Sequence, residues 1–138
     1  VEAYVKKLIK NQPNAASYSF QSIFQTQRGL YAKADVIRDN GDGTINLYEV
    51  KSSTSVKSSG QHNQIKDAAF QKIAAEETGL KVARVFIVHL NKDYVRQGDI
   101  DPEQLLILAD VTSDVVEIEA VTGAKIDGGL GRLAELAL

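Results

Sequence analysis

Apolar residues at positions 1, 5, 8 and 9 recur at helical spacing and predict a helix over 1–10, ended by the Asn11–Asn14 segment that carries Pro13. From Tyr18 to Arg28 the order changes to alternation, Phe20, Ser22 and Phe24 against Gln21, Ile23 and Gln25, which predicts a first strand. Leu30–Arg38 and Ile45–Lys51 read as hairpin strands around Asp39-Asn40-Gly41-Asp42-Gly43, residues that tolerate positive φ. A small, polar stretch, Ser52–Gly60, is expected to be a mobile loop. Gln64–Thr78 is the strongest helix, alanine-rich, with Ile65, Ala69 and Ile73 on one stripe and Gly79 as its stop. Val82–Leu90 is almost continuously apolar and β-branched, as suits a central strand covered on both faces. After a polar loop at Asn91–Gly98, Asp101-Pro102-Glu103 begins a helical turn and Leu105–Val111 a last strand. Thr112–Val121 is expected to be helical, because Thr112, Ser113 and Asp114 offer a cap. Gly128-Gly129-Leu130-Gly131 leads into a closing helix with Leu130, Leu133, Ala134 and Ala137 on one side. There is no internal repeat. The element order predicts an α/β sandwich, a central mixed β-sheet flanked by helices.

Composition narrows the class of activity. The chain has 138 residues, 43% hydrophobic and 25% charged, which suits a single domain spanning 1–138. It has no cysteine, which excludes disulfides, thiolate zinc sites and iron–sulfur clusters. No apolar run is long enough for a bilayer and no signal-peptide pattern is present, so a cytoplasmic location with no membrane partner is expected. The net charge of −2 lacks the basic footprint of a free-standing DNA binder. It leaves room for a nuclease domain whose neighbours hold the nucleic acid. The chain starts at Val1 and contains no methionine, and is expected to be a piece of a longer protein.

The candidate chemistry lies in the hairpin. Glu49 and Lys51 are two apart on one strand and share a face. Asp35 joins them only if the register puts it across from Glu49 or two residues to either side. Where opposed residue numbers sum to 84, Asp35 faces Glu49 and Asn40–Thr44 form the loop; a sum of 83 turns Glu49 to the other face. Two facing carboxylates repel, and one keeps its proton unless a cation intervenes. Lys51 is one such cation, and a hard divalent metal is another. For Mg²⁺ the ligand set would be Asp35, Glu49, the Val50 carbonyl and waters. A lysine beside activated water suits attack on phosphorus. The competing reading is a solvated face with an ion pair of little energetic value.

Other candidates are weaker. Glu2, on the first helix, is a possible further acid. Lys57 could meet phosphate. Gln71 lies toward the buried side of its helix and needs partners, either backbone or the carboxylates. The two histidines, His62 and His89, are not neighbours, which argues against a His-based metal site. The 39–43 turn lacks the offsets of a calcium loop, and the Gly128–Gly131 run lacks the Lys-Ser/Thr of a phosphate loop.

As an ordered set, Ala34-Asp35, then Glu49-Val50-Lys51, then an alanine-rich helix with Gln71, then an apolar strand, resembles the PD-(D/E)XK nuclease superfamily. The RecB-like exonucleases look closest, and EVKSSTSVK, DAAFQ and HLNKDYVRQGDIDPEQL are similar to an uncharacterised bacterial family grouped with that superfamily. The similarity covers roughly Phe20 to Thr112. It implies a restriction-endonuclease-like sandwich and a Mg²⁺- or Mn²⁺-dependent nuclease acting on DNA. It also implies Asp35, Glu49 and the Val50 carbonyl as metal ligands, Lys51 positioning water and offsetting transition-state charge, and Gln71 beside the site. Where RecB-like helices carry tyrosine four residues after the glutamine, this chain has Ala75. The alternatives are a catalytically inactive fold of this kind that binds nucleic acid or protein, and an α/β domain whose acids are only surface charge.

Overall fold

The computed structural model describes residues 1–57 and 63–126. The expected closing helix after Gly128 and the loop histidine His62 lie outside these residues. Helix α1 spans Glu2–Lys10, and a 3-10 turn at Ala15–Ser17 leads into strand β1, Tyr18–Gln25. Strands β2 (Tyr31–Asp39) and β3 (Thr44–Val50) form the hairpin; helix α2 (Gln64–Glu77) and strand β4 (Lys81–Leu90) follow. A single turn, α3 (Pro102–Leu105), strand β5 (Leu106–Asp110) and helix α4 (Thr112–Ile126) complete the described chain. Within the described residues the expected helices and strands are present, with ends displaced by a few residues. No helix among the described residues is long and apolar enough to cross a membrane.

The five strands form one sheet in the order β1-β2-β3-β4-β5. All neighbouring pairs are antiparallel except β3 and β4, which are parallel. The sheet is therefore mixed, and α2 is the crossover that a parallel pair requires. Asn63 caps α2 by accepting the Lys66 N–H at 3.0 Å, and Gly79, at φ 100°, takes the left-handed turn that lets the chain leave it.

Each sheet face carries its own core. On one side Ile45, Leu47, Val85 and Ile87 pack with Ile65, Ala68, Ala69, Ala74 and Ala75 of α2 and Val115 of α4. On the other, Tyr48, Val88 and Leu106 pack with Val5 and Ile9 of α1. The alanines let α2 lie close to the sheet, and from Val85 onward β4 is covered on both sides, as suits its mostly apolar run.

The β2–β3 pairs are Val36–Tyr48, Ile37–Leu47, Arg38–Asn46 and Asp39–Ile45, so the register with sum 84 holds. The turn closes through Asn40 and Thr44, joined by a 3.0 Å main-chain bond. Asp39 and Asp42 bend back to accept the amides of Gly41 and Thr44 at 2.9 and 3.0 Å, as turn-forming acids do.

One expectation fails. Regular alternation would put Phe20 and Phe24 on the same face of β1. Instead Phe20 packs with the α1 core and Phe24 belongs to the α2 core. Strand β2 does the same, with Ala34 in the α2 core and Val36 in the α1 core. The two strands reverse together at Gln21 and Asp35, the only opposed positions within the ladder that do not pair, while the register on either side is unchanged. Gln21 has φ 55°, the left-handed region, and that rotation turns the pleat over.

Candidate active site

Asp35 sits where β2 reverses. A continued β2–β3 ladder of the same register would set Val50 against Ala34, yet the pairing stops at Val36–Tyr48. The Val50 amide donates instead to Asp35 Oδ2 at 2.8 Å. The carboxylate has taken the place of a backbone acceptor and lies between the two strands. On its β1 side, Gln21 Nε2 stands 3.5 Å from Asp35 Oδ1, long for a hydrogen bond.

Glu49 shares the face of Ile45 and Leu47, toward α2. Its Oε2 accepts a short hydrogen bond from Gln71 Nε2, so the buried glutamine finds its partner in the acid rather than in backbone. Its Oε1 lies 3.6 Å from the Lys51 ammonium. Burial, then the charge of Asp35, pushes the Glu49 carboxyl up to about 8, although Lys51 and Gln71 pull the other way. Hydrogen bonding with Asp35 adds to the rise, so the two carboxyls are immediate neighbours. Asp35, Glu49, Lys51 and Gln71 thus form one cluster on three consecutive elements.

Lys51 follows the last residue of β3. Its amide donates to Val88 O at 2.9 Å, which holds the residue to β4. Its Nζ reaches Asp67 Oδ2 at 3.2 Å. Burial alone would lower the ammonium, but the charges of Glu49, Asp67 and Asp35 outweigh it and the net shift is upward. Lys51 is therefore a fixed positive charge rather than a proton acceptor at neutral pH.

Sequence reasoning missed Asp67 and Gln64. Gln64 is buried and ties down the loop after β3, accepting the Lys57 amide and donating to Ser53 Oγ, each at 3.0 Å. Ser53 O in turn accepts the Leu90 amide at 2.9 Å. The part of this loop within the described residues, expected to be mobile, is anchored. Gln64, Asp67 and Gln71 fall at i, i+3 and i+7 of α2, so they form a polar stripe on an otherwise apolar alanine-rich face. That spacing was the available signal.

The α1 side closes the other flank. A small, shallow cleft is lined by Glu2, Val5 and Lys6 of α1 with Phe20, Gln21, Asp35, Val36 and Val50. The Lys6 ammonium stands 5.5 Å from the Phe20 ring centroid. Glu2 and Asp35 thus line the same cleft. His89 is buried, with Nδ1 3.1 Å from Leu90 O, and Lys57 is exposed; neither joins the cluster.

Among the described residues, no three His, Cys, Asp or Glu side chains form a cation-holding group by themselves. The oxygens at hand are those of Asp35 and Glu49, with the main chain of Val50 beside them. No family model, curated protein or solved structure matches the chain.

Proposed function

We propose that this chain is a Mg²⁺- or Mn²⁺-dependent nuclease domain, built as a restriction-endonuclease-like sandwich, that hydrolyses phosphodiester bonds of DNA. The observation that carries it is the convergence of Asp35, Glu49 and Lys51 where β2 and β3 part, with Gln71 holding Glu49 from α2. A surface ion pair would leave these side chains solvated and apart; here an acid is held neutral near pH 7 by burial and by its neighbour's charge. Donor chemistry supports a hard divalent cation, because extra positive charge between two crowded carboxylates relieves that repulsion. Asp35, Glu49 and the Val50 carbonyl would hold it. When bound, the cation supplies positive charge that polarises the phosphodiester and acidifies water.

The protein's own groups supply the rest. Gln71 fixes one oxygen of Glu49 and leaves the other toward Lys51. Lys51 stays protonated, so it orients the attacking water and offsets negative charge growing on the phosphate oxygens. Asp67 draws the ammonium toward α2, so the lysine has two carboxylates to choose between. Gln64 anchors the loop that follows Lys51.

Incubation of the chain with single- and double-stranded DNA, in Mn²⁺ and then in excess chelator, tests the proposal. Cleavage that stops with the chelator is expected. DNA retention that ignores metal and yields no products would favour an inactive, binding-only fold.

A further inference from the structure

Gln21 sits in a conformation that glycine would adopt without penalty. Its φ of 55° is the only positive value among the described non-glycine residues. Such a conformation is strained for a residue with a Cβ, and it persists where its surroundings over-determine it. Two features surround it. Its rotation is the point at which β1 and β2 exchange faces, which separates Phe20 from Phe24 and Ala34 from Val36. Its carboxamide points along the α1-side cleft toward Asp35 Oδ1, while Val50 N–H holds Oδ2.

We propose that Gln21 is the positioning residue for Asp35. Its backbone turns the strand pair so that Asp35 stands at the crossing between the two faces, within reach of both Glu49 and the α1-side cleft. Its side chain then braces one carboxylate oxygen while Val50 braces the other, each from a flanking strand. As a claim about catalysis this rests on the nuclease reading; as a claim about Asp35 it does not. Gln21 touches no reacting atom. Its effect passes through the orientation of the acid.

Two variants change the side chain while leaving the backbone turn in place. Gln21→Gly keeps the left-handed turn and removes the brace; Gln21→Asn tolerates the same φ with a shorter amide. In the metal-free chain, hydrogen exchange at the Val50 amide is expected to quicken roughly fivefold in Gln21→Gly, and less in Gln21→Asn, while Val85 and Ile87 in the sheet centre are unchanged. In the cleavage assay kcat is expected to fall about 10- to 100-fold in Gln21→Gly, because a small misplacement is costly, with KM for DNA unchanged within about twofold. Unaltered Val50 exchange in both variants overturns the proposal, as does a loss of activity confined to KM. If the wild-type chain cleaves nothing, the nuclease reading fails and the exchange data alone decide the role of Gln21.

Discussion

The main-chain N–H of Val50 donates to the carboxylate of Asp35 at 2.8 Å, at the point where β2 and β3 stop pairing. A proposed metal ligand is thereby also a member of the sheet's hydrogen bonding. Stability and chemistry at this position are linked, and substitutions separate them.

Asparagine keeps an acceptor oxygen for Val50 and alanine does not. Asp35→Ala is expected to cost about 1–2 kcal/mol, the usual cost of orphaning a partly buried amide, and Asp35→Asn clearly less. Both are expected to abolish cleavage. Urea denaturation of the two variants checks the first statement and DNA digestion the second.

Glu49 makes metal-free stability depend on pH. Burial and the charge of Asp35 push its carboxyl up to about 8, from the ordinary glutamate value near 4.5. The folded chain therefore holds a proton that the unfolded chain releases. The stability this contributes is complete below about 4.5 and is lost as pH rises toward about 8. Glu49→Gln keeps the partner of Gln71 without the charge, so its stability is expected to fall less over that window. Denaturation curves at pH 4.5, 6 and 8, in chelator, check this; parallel losses in the two proteins would contradict it.

The same proton must leave when a cation binds. Mn²⁺ is expected to raise the melting temperature of the wild type more at pH 8 than at pH 6, and to leave Glu49→Gln nearly unmoved. Calorimetry in two buffers of different ionisation enthalpy is expected to show release of about one proton per cation at pH 7.

Lys72 is a separate structural element. It is buried and reaches Glu119 at 2.8 Å and Glu76 at 2.9 Å, which ties α2 to α4. Glu119 Oε1 is buried and has no hydrogen bond among the described residues, and burial, opposed by Lys72, raises this carboxyl. Lys72→Ala leaves that carboxyl without its cation and is expected to cost about 3 kcal/mol or more. Lys72→Met with Glu119→Leu replaces the pair by hydrocarbon and is expected to be near neutral. Thermal melts of the single and double variants check both.

The architecture was legible wherever one period dominated. The alanine-rich run at Gln64–Thr78 and the apolar run at Val82–Leu90 gave α2 and β4 closely. The register was legible only conditionally, since an even sum is what a clustered Asp35 and Glu49 would require, and the observed pairs have it. The reversal at Gln21 was not legible. Glutamine has no preference for positive φ, so the residue type gives no warning, and Phe20 and Phe24 share a parity that the backbone then undoes. Asp67 could have been found. It stands four residues before Gln71 on one helix face, and a polar stripe within an alanine face asks for a partner.

Cleavage of DNA by the wild type, Asp35→Asn and Lys51→Ala, in Mn²⁺ and with folding checked by circular dichroism, tests the central claim most directly. The expected result is cleavage by the wild type alone, with rates at least about 100-fold lower in both folded variants. Equal cleavage by folded Lys51→Ala, or none by the wild type in either metal, would contradict it.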